Sequence, residues 1–409
     1  MREKLKTLYG LPEEVKFCKK CVMSNQRPVS TQEFKHNPNS KKTTMNFDSD
    51  GICDACRTSE LKENINWEER EKELIKVLDK YRKNDGSYDC LIPGSGGKDS
   101  AYQAHILKYK YGMNPLTYTW PPIMYTDYGY TNWKNWIEIG GFDNITMKPN
   151  GKTMKLLTKL SIENIFHPFQ TFFFGQKNLA PKIASKHGIE LVFYGENEAE
   201  YGNPIADNNS SLRDKAIFAS ESNENIYLGG VSVKDLYSEH NLTKNDLNLF
   251  LPPTLKEIED TNVDVRYLGY YLKWTPQEVY YYAVENTGFK ARPFRSQGTF
   301  SKYQSIDDKI DDLHFYTTYL KFGIGRATYD ASQEIRNKHI TREEGLALVR
   351  RFDGEFPDKY FDEVMDYLGI NPDYFKNELA DKFRSPHIWK KINGEWKLRH
   401  NSNLTGCDD

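Results

Sequence analysis

Apolar positions along this chain change period several times, and each change predicts an element. Between residues 67 and 81, Leu74, Ile75, Val77 and Leu78 recur among charged residues at the spacing of an amphipathic helix. A short apolar run, Cys90-Leu91-Ile92, reads as a strand, and Ala101, Ala104, Ile106 and Leu107 restore the helical period after a glycine-rich turn. Leu116-Thr117-Tyr118-Thr119-Trp120 predicts a second strand, ended by Pro121-Pro122, and a helix closes over residues 135–141. Asn144-Ile145-Thr146-Met147 predicts a third strand, residues 161–167 and 178–187 helices, and Ile189-Glu190-Leu191-Val192-Phe193-Tyr194 a fourth strand. Such alternation implies a parallel sheet with helices on both faces and a ligand crevice beyond the strand C-termini. Beyond Asp260 the pattern turns helical: residues 276–286 start with Pro276 near the first turn, and Thr341 with Glu344 forms a capping box for a helix through Arg351. Residues 207–211 and 237–248 are polar without a period and read as surface loops or a flap.

The turn between the first strand and its helix carries the densest chemistry. Two nucleotide-loop patterns fail there. A Walker loop needs glycine at position 92 and Ser or Thr after the lysine, where the chain has Ile92 and Asp99. A dinucleotide fingerprint starting at Gly94 needs glycine at position 99, where Asp99 stands. What remains, Ser95-Gly96-Gly97-Lys98-Asp99-Ser100, resembles the SGGxDS signature of the PP-loop ATP pyrophosphatases. Those enzymes cleave ATP between the α and β phosphates and form an adenylate. The residue types suit that chemistry. The glycine amides with Ser95 and Ser100 can hold pyrophosphate, Lys98 offsets its charge, and Asp99 can hold Mg²⁺.

The fourth strand ends in Gly195-Glu196-Asn197-Glu198-Ala199-Glu200-Tyr201-Gly202. An isolated acidic turn is ordinarily solvated. At a strand C-terminus on the same edge as the phosphate loop, its polar residues become site candidates, Glu196 and Asn197 for binding substrate or orienting ammonia. Further along, Lys321 and Arg326 bracket a glycine-containing turn of the kind that approaches a phosphate or a sugar carboxylate; ordinary surface charge would give the same spacing.

Composition narrows the class. The chain has 409 residues, enough for two or three domains, and a formal net charge of −2, which argues against a protein that binds nucleic acid by neutralising phosphates. No apolar run approaches a membrane span and no apolar signal core follows Met1, so the expectation is a soluble, cytoplasmic protein. The six cysteines fall as two CxxC pairs and two singles. Cys18-Lys19-Lys20-Cys21 and Cys53-Asp54-Ala55-Cys56 can supply four thiolates to one structural zinc, although the polar span between them is longer than in the usual ribbon. His36 lies in that span, and a lone loop histidine is usually solvated. The resulting organisation is a zinc-binding lobe over residues 1–60, an α/β ATP-pyrophosphatase domain over 61–260, and a mainly helical substrate or partner region over 261–409.

Assembled, the segments resemble the N-acetyl sugar amidotransferase family of bacterial surface-polysaccharide (lipopolysaccharide, O-antigen) biosynthesis. The resemblance rests on the paired cysteines with Phe47-Asp48 and Gly51-Ile52-Cys53, the Ser95–Ser100 loop, His167-Pro168-Phe169-Gln170, and Gly175-Gln176-Lys177. It continues through Tyr194-Gly195-Glu196-Asn197, Glu200-Tyr201-Gly202, Tyr267-Leu268-Gly269-Tyr270-Tyr271 and the block from 307 to 334. It implies a PP-loop fold, ATP and Mg²⁺ as cofactors, and catalytic roles for Lys98, Asp99, Glu196 and Asn197. It also implies substrate contacts from Glu200, Tyr201, Lys321 and Arg326. The implied reaction converts the N-acetyl group of a nucleotide-activated sugar to an acetamidino group.

That reaction needs ammonia. A cysteine glutaminase requires a nucleophilic cysteine, but the four paired cysteines are committed to metal, Cys90 lies in the buried strand, Cys407 lies in the tail, and residue 2 is Arg2. The resemblance therefore implies a separate glutaminase subunit, together with a channel-forming partner resembling the histidine-pathway synthase pair. A tRNA-thiolating PP-loop enzyme is the nearest competitor. It would need further cysteines for a persulfide or an iron–sulfur cluster and a basic surface for tRNA; this chain has no spare paired cysteines and no excess of positive charge. A non-catalytic, nucleotide-gated scaffold is opposed by the intact Lys98-Asp99 pair.

Overall fold

The computed structural model describes residues 5–29, 33–196, 198–201, 210–222 and 225–402. In chain order it begins with an irregular lobe, then α1 (Asp54–Glu63) and α2 (Trp67–Tyr81). Helix α2 starts where the side chain of Asn66 accepts a hydrogen bond from the Glu69 amide, satisfying an otherwise orphaned donor. It buries Leu74 and Leu78 but leaves Ile75 exposed, so its apolar stripe is narrower than the sequence pattern suggested.

A parallel α/β unit follows: β1 (Cys90–Pro93), α3 (Lys98–His105), β2 (Pro115–Thr119), α4 (Asp127–Glu138), β3 (Asp143–Thr146), α5 (Gly151–Ile165), α6 (Gln170–Lys186) and β4 (Leu191–Tyr194). A small hairpin of β5 (Tyr227–Leu228) and β6 (Val231–Ser232) leads into α7 (Val233–Glu239), α8 (Lys244–Leu247) and α9 (Leu255–Asp260), and then to β7 (Asp264–Tyr267). The sheet order is β3-β2-β1-β4-β7, with every neighbouring pair parallel. Successive strand residues point to opposite faces, and the sequence fills both. Cys90, Ile92, Leu191 and Phe193 join the core under α2 and α3, whereas Leu91, Leu116, Val192 and Val265 join the core under α5 and α6.

Three expectations change here. The sheet does not end at Asp260: β7 is its fifth strand, and α10 (Pro276–Thr287) packs along α3. Only alternate residues of β7, Val265 and Tyr267, are buried, so the strand carries no continuous apolar run to announce it. The polar stretch 237–248 contains the end of α7 and all of α8, the latter held by a capping box between Thr243 and Asp246. The helix expected over 161–167 stops at Ile165, because Phe166 takes a left-handed conformation (φ 50°) as its C-cap and Pro168 bars continuation. That corner turns His167 out of the helix.

The remainder is helical: α11 (Asp311–Phe322), α12 (Arg326–Arg336), α13 (Arg342–Phe352) and α14 (Asp358–Leu368), before a terminal hairpin of β8 (Trp389–Ile392) and β9 (Glu395–Leu398). The capping box of Thr341 and Glu344 opens α13 as the sequence predicts. This region holds the N-terminal lobe in place. Arg342 Nε donates to the Cys21 carbonyl at 3.1 Å, the Leu8 amide to Ser385 Oγ at 3.0 Å, and Tyr9 to the Phe383 carbonyl at 2.8 Å.

Candidate active site at the phosphate loop

The loop after β1 is shaped by two glycines with no room for a side chain. A Cβ on Gly94 would lie 2.1 Å from Ser100 Cβ, and one on Gly96 (φ +83°) would lie 2.5 Å from the Trp133 backbone of α4. Gly97 is the N-cap of α3, where a Cβ would meet only Ser95 Oγ at 3.9 Å, and it lines the cavities onto which the first turn of α3 opens. Ser100 donates to the Gly97 carbonyl at 3.0 Å and closes the turn. Lys98 is buried, and its Nζ contacts both carboxylate oxygens of Asp99 at 2.8 and 2.7 Å. Burial alone would lower Lys98; the negative charges of Asp99 and Glu196 outweigh it and raise it, so the lysine is a fixed cation.

Two cavities meet at this loop. One, about 400 Å³, runs along the C-terminal edge of β1 and β4, and Tyr118, Lys177, Glu196 and Arg213 line it with the loop. The other, about 600 Å³, lies between the loop, the N-terminal lobe and helices α11 and α12. Ser95, Gly97, Asp99, Gln176 and Lys177 belong to both. Gln176 and Lys177 reach this position because Gly175 lets α6 pass against Trp120, where a Cβ would fall within 1.9 Å of the indole.

Glu196 lies in the smaller cavity, and its Oε1 accepts from Gln333 of α12 at 3.5 Å. Burial and the charge of Asp99 push it up to about 8, with Lys98 opposing. A cation placed between Asp99 and Glu196 would relieve that repulsion, which is how the site fits Mg²⁺. Asn197 lies outside the described residues, as does the side chain of Tyr201. Glu200 pairs with Lys62 of α1 at 2.8 Å, and its negative charge also acts on Glu196.

Lys321 and Arg326 both line the larger cavity, yet both are engaged within the protein. Lys321 Nζ donates to the Ile165 carbonyl at 2.6 Å and sits over the Tyr9 ring. Arg326 donates to the Gln304 carbonyl, lies 3.6 Å from Asp312 and covers the Phe315 ring. Neither stands on the surface, as plain spacing would have allowed. Sequence reasoning gave no role to Lys177 and Gln333, although both lie in segments that carry the resemblance, and it missed Arg213, which no local motif marks. It also misplaced His36, which is 6% exposed and faces the larger cavity instead of solvent.

In the lobe, the four paired cysteines converge and are buried, their sulfurs all within 4.8 Å of one another. Cys18 and Cys56 stand 3.8 Å apart, Cys21 and Cys53 3.7 Å. A tetrahedron with zinc–sulfur bonds of about 2.3 Å has edges of about 3.8 Å, so the cluster fits zinc. Cys53 is also the N-cap of α1, which places Cys56 one turn inside that helix.

The strand order, the strand–loop–helix signature and the cleft at the sheet edge define an α/β protein of the PP-loop type, extended by a four-cysteine lobe and a helical region. Residues 297–401, within the helical region, match the family described as "LPS biosynthesis protein WbpG-like, C-terminal domain". An archaeal relative, uncharacterized protein MJ1599 of Methanocaldococcus jannaschii, is 39% identical over 75 residues, 18% of this chain and 27% of that protein. Among solved structures, the NMN synthetase of Francisella tularensis aligns at 16% identity and TM-score 0.26, covering 48% of this chain and 85% of that one. The NH3-dependent NAD synthetase of Campylobacter jejuni, in complex with nitrate, aligns at 15% identity and TM-score 0.28, covering 48% and 86%. No described helix is long and apolar enough to cross a membrane.

Proposed function

We propose that the protein is an ATP-dependent, AMP-forming amidotransferase that converts the N-acetyl group of a nucleotide-activated sugar to an acetamidino group for surface-polysaccharide biosynthesis. The observation that carries this reading is the junction of two cavities at one phosphate loop, the larger walled by the WbpG-like domain. ATP in the smaller cavity would present its α-phosphate to an acceptor in the larger one.

An amide resists ammonia because its oxygen is a poor leaving group. Attack of that oxygen on the α-phosphorus breaks the α–β bond, releases pyrophosphate and gives an O-adenylated imidate. Ammonia then adds to the imidate carbon, the C–O bond breaks, and AMP departs with the oxygen. The amides of the α3 N-terminus and Lys98 would bind the departing pyrophosphate, while Asp99 and Glu196 would hold Mg²⁺, whose charge stabilises the phosphates. Enclosure between lobe and helical region would exclude the water that returns imidate to amide. Zinc on Cys18, Cys21, Cys53 and Cys56 would be structural, since its four ligands leave no open position.

Ammonia would come from a separate glutaminase subunit, delivered with a channel-forming partner. The placement of the described cysteines supports this: four face one another, and Cys90 is buried within β1, where burial pushes its thiol up. The test is mass spectrometry of N-acetylated UDP- and CMP-sugars incubated with the protein, Mg-ATP and high ammonium. Replacement of oxygen by NH, with AMP and pyrophosphate formed in step, is expected. AMP formation that depends on tRNA and a sulfur donor would refute the assignment.

A further inference from the structure

Four residues outside the phosphate loop converge on the far wall of the larger cavity. Glu33 and His36 come from a turn of the N-terminal lobe, His167 from the corner between α5 and α6, and His314 from α11. Glu33 is 3% exposed. Its Oε2 lies 3.4 Å from His36 Nδ1, 3.8 Å from His167 Nε2 and 3.8 Å from Lys42 Nζ. The two contacts at 3.8 Å are too long for hydrogen bonds, and the one at 3.4 Å is not aligned as one. Among the described residues, that oxygen and the Nδ1 atoms of His36, His167 and His314 have no hydrogen-bond partner at all. Buried polar groups are nearly always paired, so a cluster of orphans lining a cavity indicates a ligand that pairs them.

We propose that this wall binds the hydroxylated ring of the sugar substrate, with Glu33, His36, His167 and His314 as its hydrogen-bonding partners. The proposal rests on the amidotransferase reading and assigns the two ends of the large cavity: the acetamido group to the phosphate loop, the sugar hydroxyls to the histidine wall.

The chemistry of the cluster selects hydroxyls over other ligands. Burial holds His36 and His314 down to about 4 and His167 well below its usual range, so all three rings are neutral near pH 7. A neutral imidazole has one donor and one acceptor nitrogen, and a carboxylate only accepts. The ligand must therefore bring both kinds of group, as a hydroxyl does. An anion would meet the Glu33 carboxylate, and the nearby cations are already engaged, Lys42 with Glu33 itself at 3.8 Å and Lys321 with the Ile165 carbonyl. A metal ion is disfavoured because His167 and His314 are stacked, centroids 5.0 Å apart and planes 25° from parallel, which keeps their in-plane lone pairs from converging. Ammonia is too small to reach groups spread over three elements, with the His36 and His167 rings 6.2 Å apart. Phe173, edge-on to His167 and His314, adds the flat apolar surface that a pyranose face can cover.

The experiment is steady-state kinetics of the full chain at saturating Mg-ATP and ammonium chloride, varying the N-acetylated UDP- or CMP-sugar that the wild type converts. Glu33→Gln, His36→Asn and His167→Asn should each raise KM for the sugar by about ten- to a hundredfold, the effect of losing a buried hydrogen bond to the ligand. KM for ATP and for ammonium should stay unchanged, with ATP binding and thermal midpoint confirming the fold. Because Glu33→Gln strands Lys42 in the interior, the two histidine variants decide the matter if it does not fold. An unchanged sugar KM in folded histidine variants overturns the proposal. So does a rise confined to the KM for ammonium, which would assign the cluster to the amine. A wild type that converts no N-acetylated nucleotide sugar fails one step earlier and removes the amidotransferase reading itself.

Discussion

The two ends of the large cavity are built by opposite means. At one end, six consecutive residues from Ser95 to Ser100 supply backbone amides, a buried cation and a carboxylate. Their geometry is local: a strand delivers the chain, two crowded glycines fold it, and a helix start aims the amides. At the other end, Glu33, His36, His167 and His314 arrive from three segments, and only packing of the lobe against α6 and α11 makes them neighbours. The lesson is that a wall made of backbone amides, suited to a phosphate, can be encoded by a short motif. The opposite wall is side chains alone, and its integrity depends on the whole fold.

The sharpest way to break the contrast is at the loop. Asp99→Ala should lower AMP and pyrophosphate formation by about a thousandfold or more, since charge stabilisation of the transferring phosphate is lost. Circular dichroism should show an unchanged fold, because the Asp99 side chain is 40% exposed. If activity survived, the loop would not be the catalytic end.

Next in size is removal of the lobe's anchor. Cys53→Ser should abolish bound zinc, read by metal analysis, and cost several kcal/mol of lobe stability, because metal binding and folding are coupled there. Sugar KM should rise, since Glu33, His36 and Lys42 belong to that lobe, whereas isolated ATP binding at the sheet should persist. Loss of both would mean that the two ends are not independent.

Glu196 gives a smaller, pH-dependent effect. Its folded pKa of about 8 lies above the ordinary carboxylate value, so the protonated form is favoured in the folded state. The stability this contributes is complete below the unfolded pKa and is lost as pH rises through about 8. Glu196→Gln should therefore raise the thermal midpoint, relative to wild type and without Mg²⁺, more at pH 9 than at pH 5, while lowering activity. Equal midpoint changes at both pH values would show that neither burial nor the charge of Asp99 raises Glu196 in the folded protein. The smallest effect belongs outside both ends: Thr341→Ala removes the exposed cap of α13 and should cost about 1 kcal/mol in denaturant unfolding, with turnover unaffected.

Much of the fold was legible because its signals are local. Helix α2, the capping box of α13 and the first four strands follow from periods and caps within a dozen residues. The fifth strand was not legible, since β7 buries only alternate residues and its place beside β4 is a matter of pairing partners. Lys321 and Arg326 show the same limit in reverse. Their spacing marked them as candidates, but whether a cation meets a ligand, a carbonyl or a ring depends on what packs opposite.

By itself, then, the sequence determined the phosphate loop, the four-cysteine cluster and the α/β class, because each depends on residue types at short fixed spacings. The tertiary structure alone decided that α12 reaches Glu196 through Gln333, that Lys62 pairs with Glu200, and that His36 is buried beside His167. Those outcomes depend on which surfaces the packing of lobe, sheet and helical region excludes from water. Burial is what turns an ordinary loop histidine into a neutral, unpaired group facing a cavity.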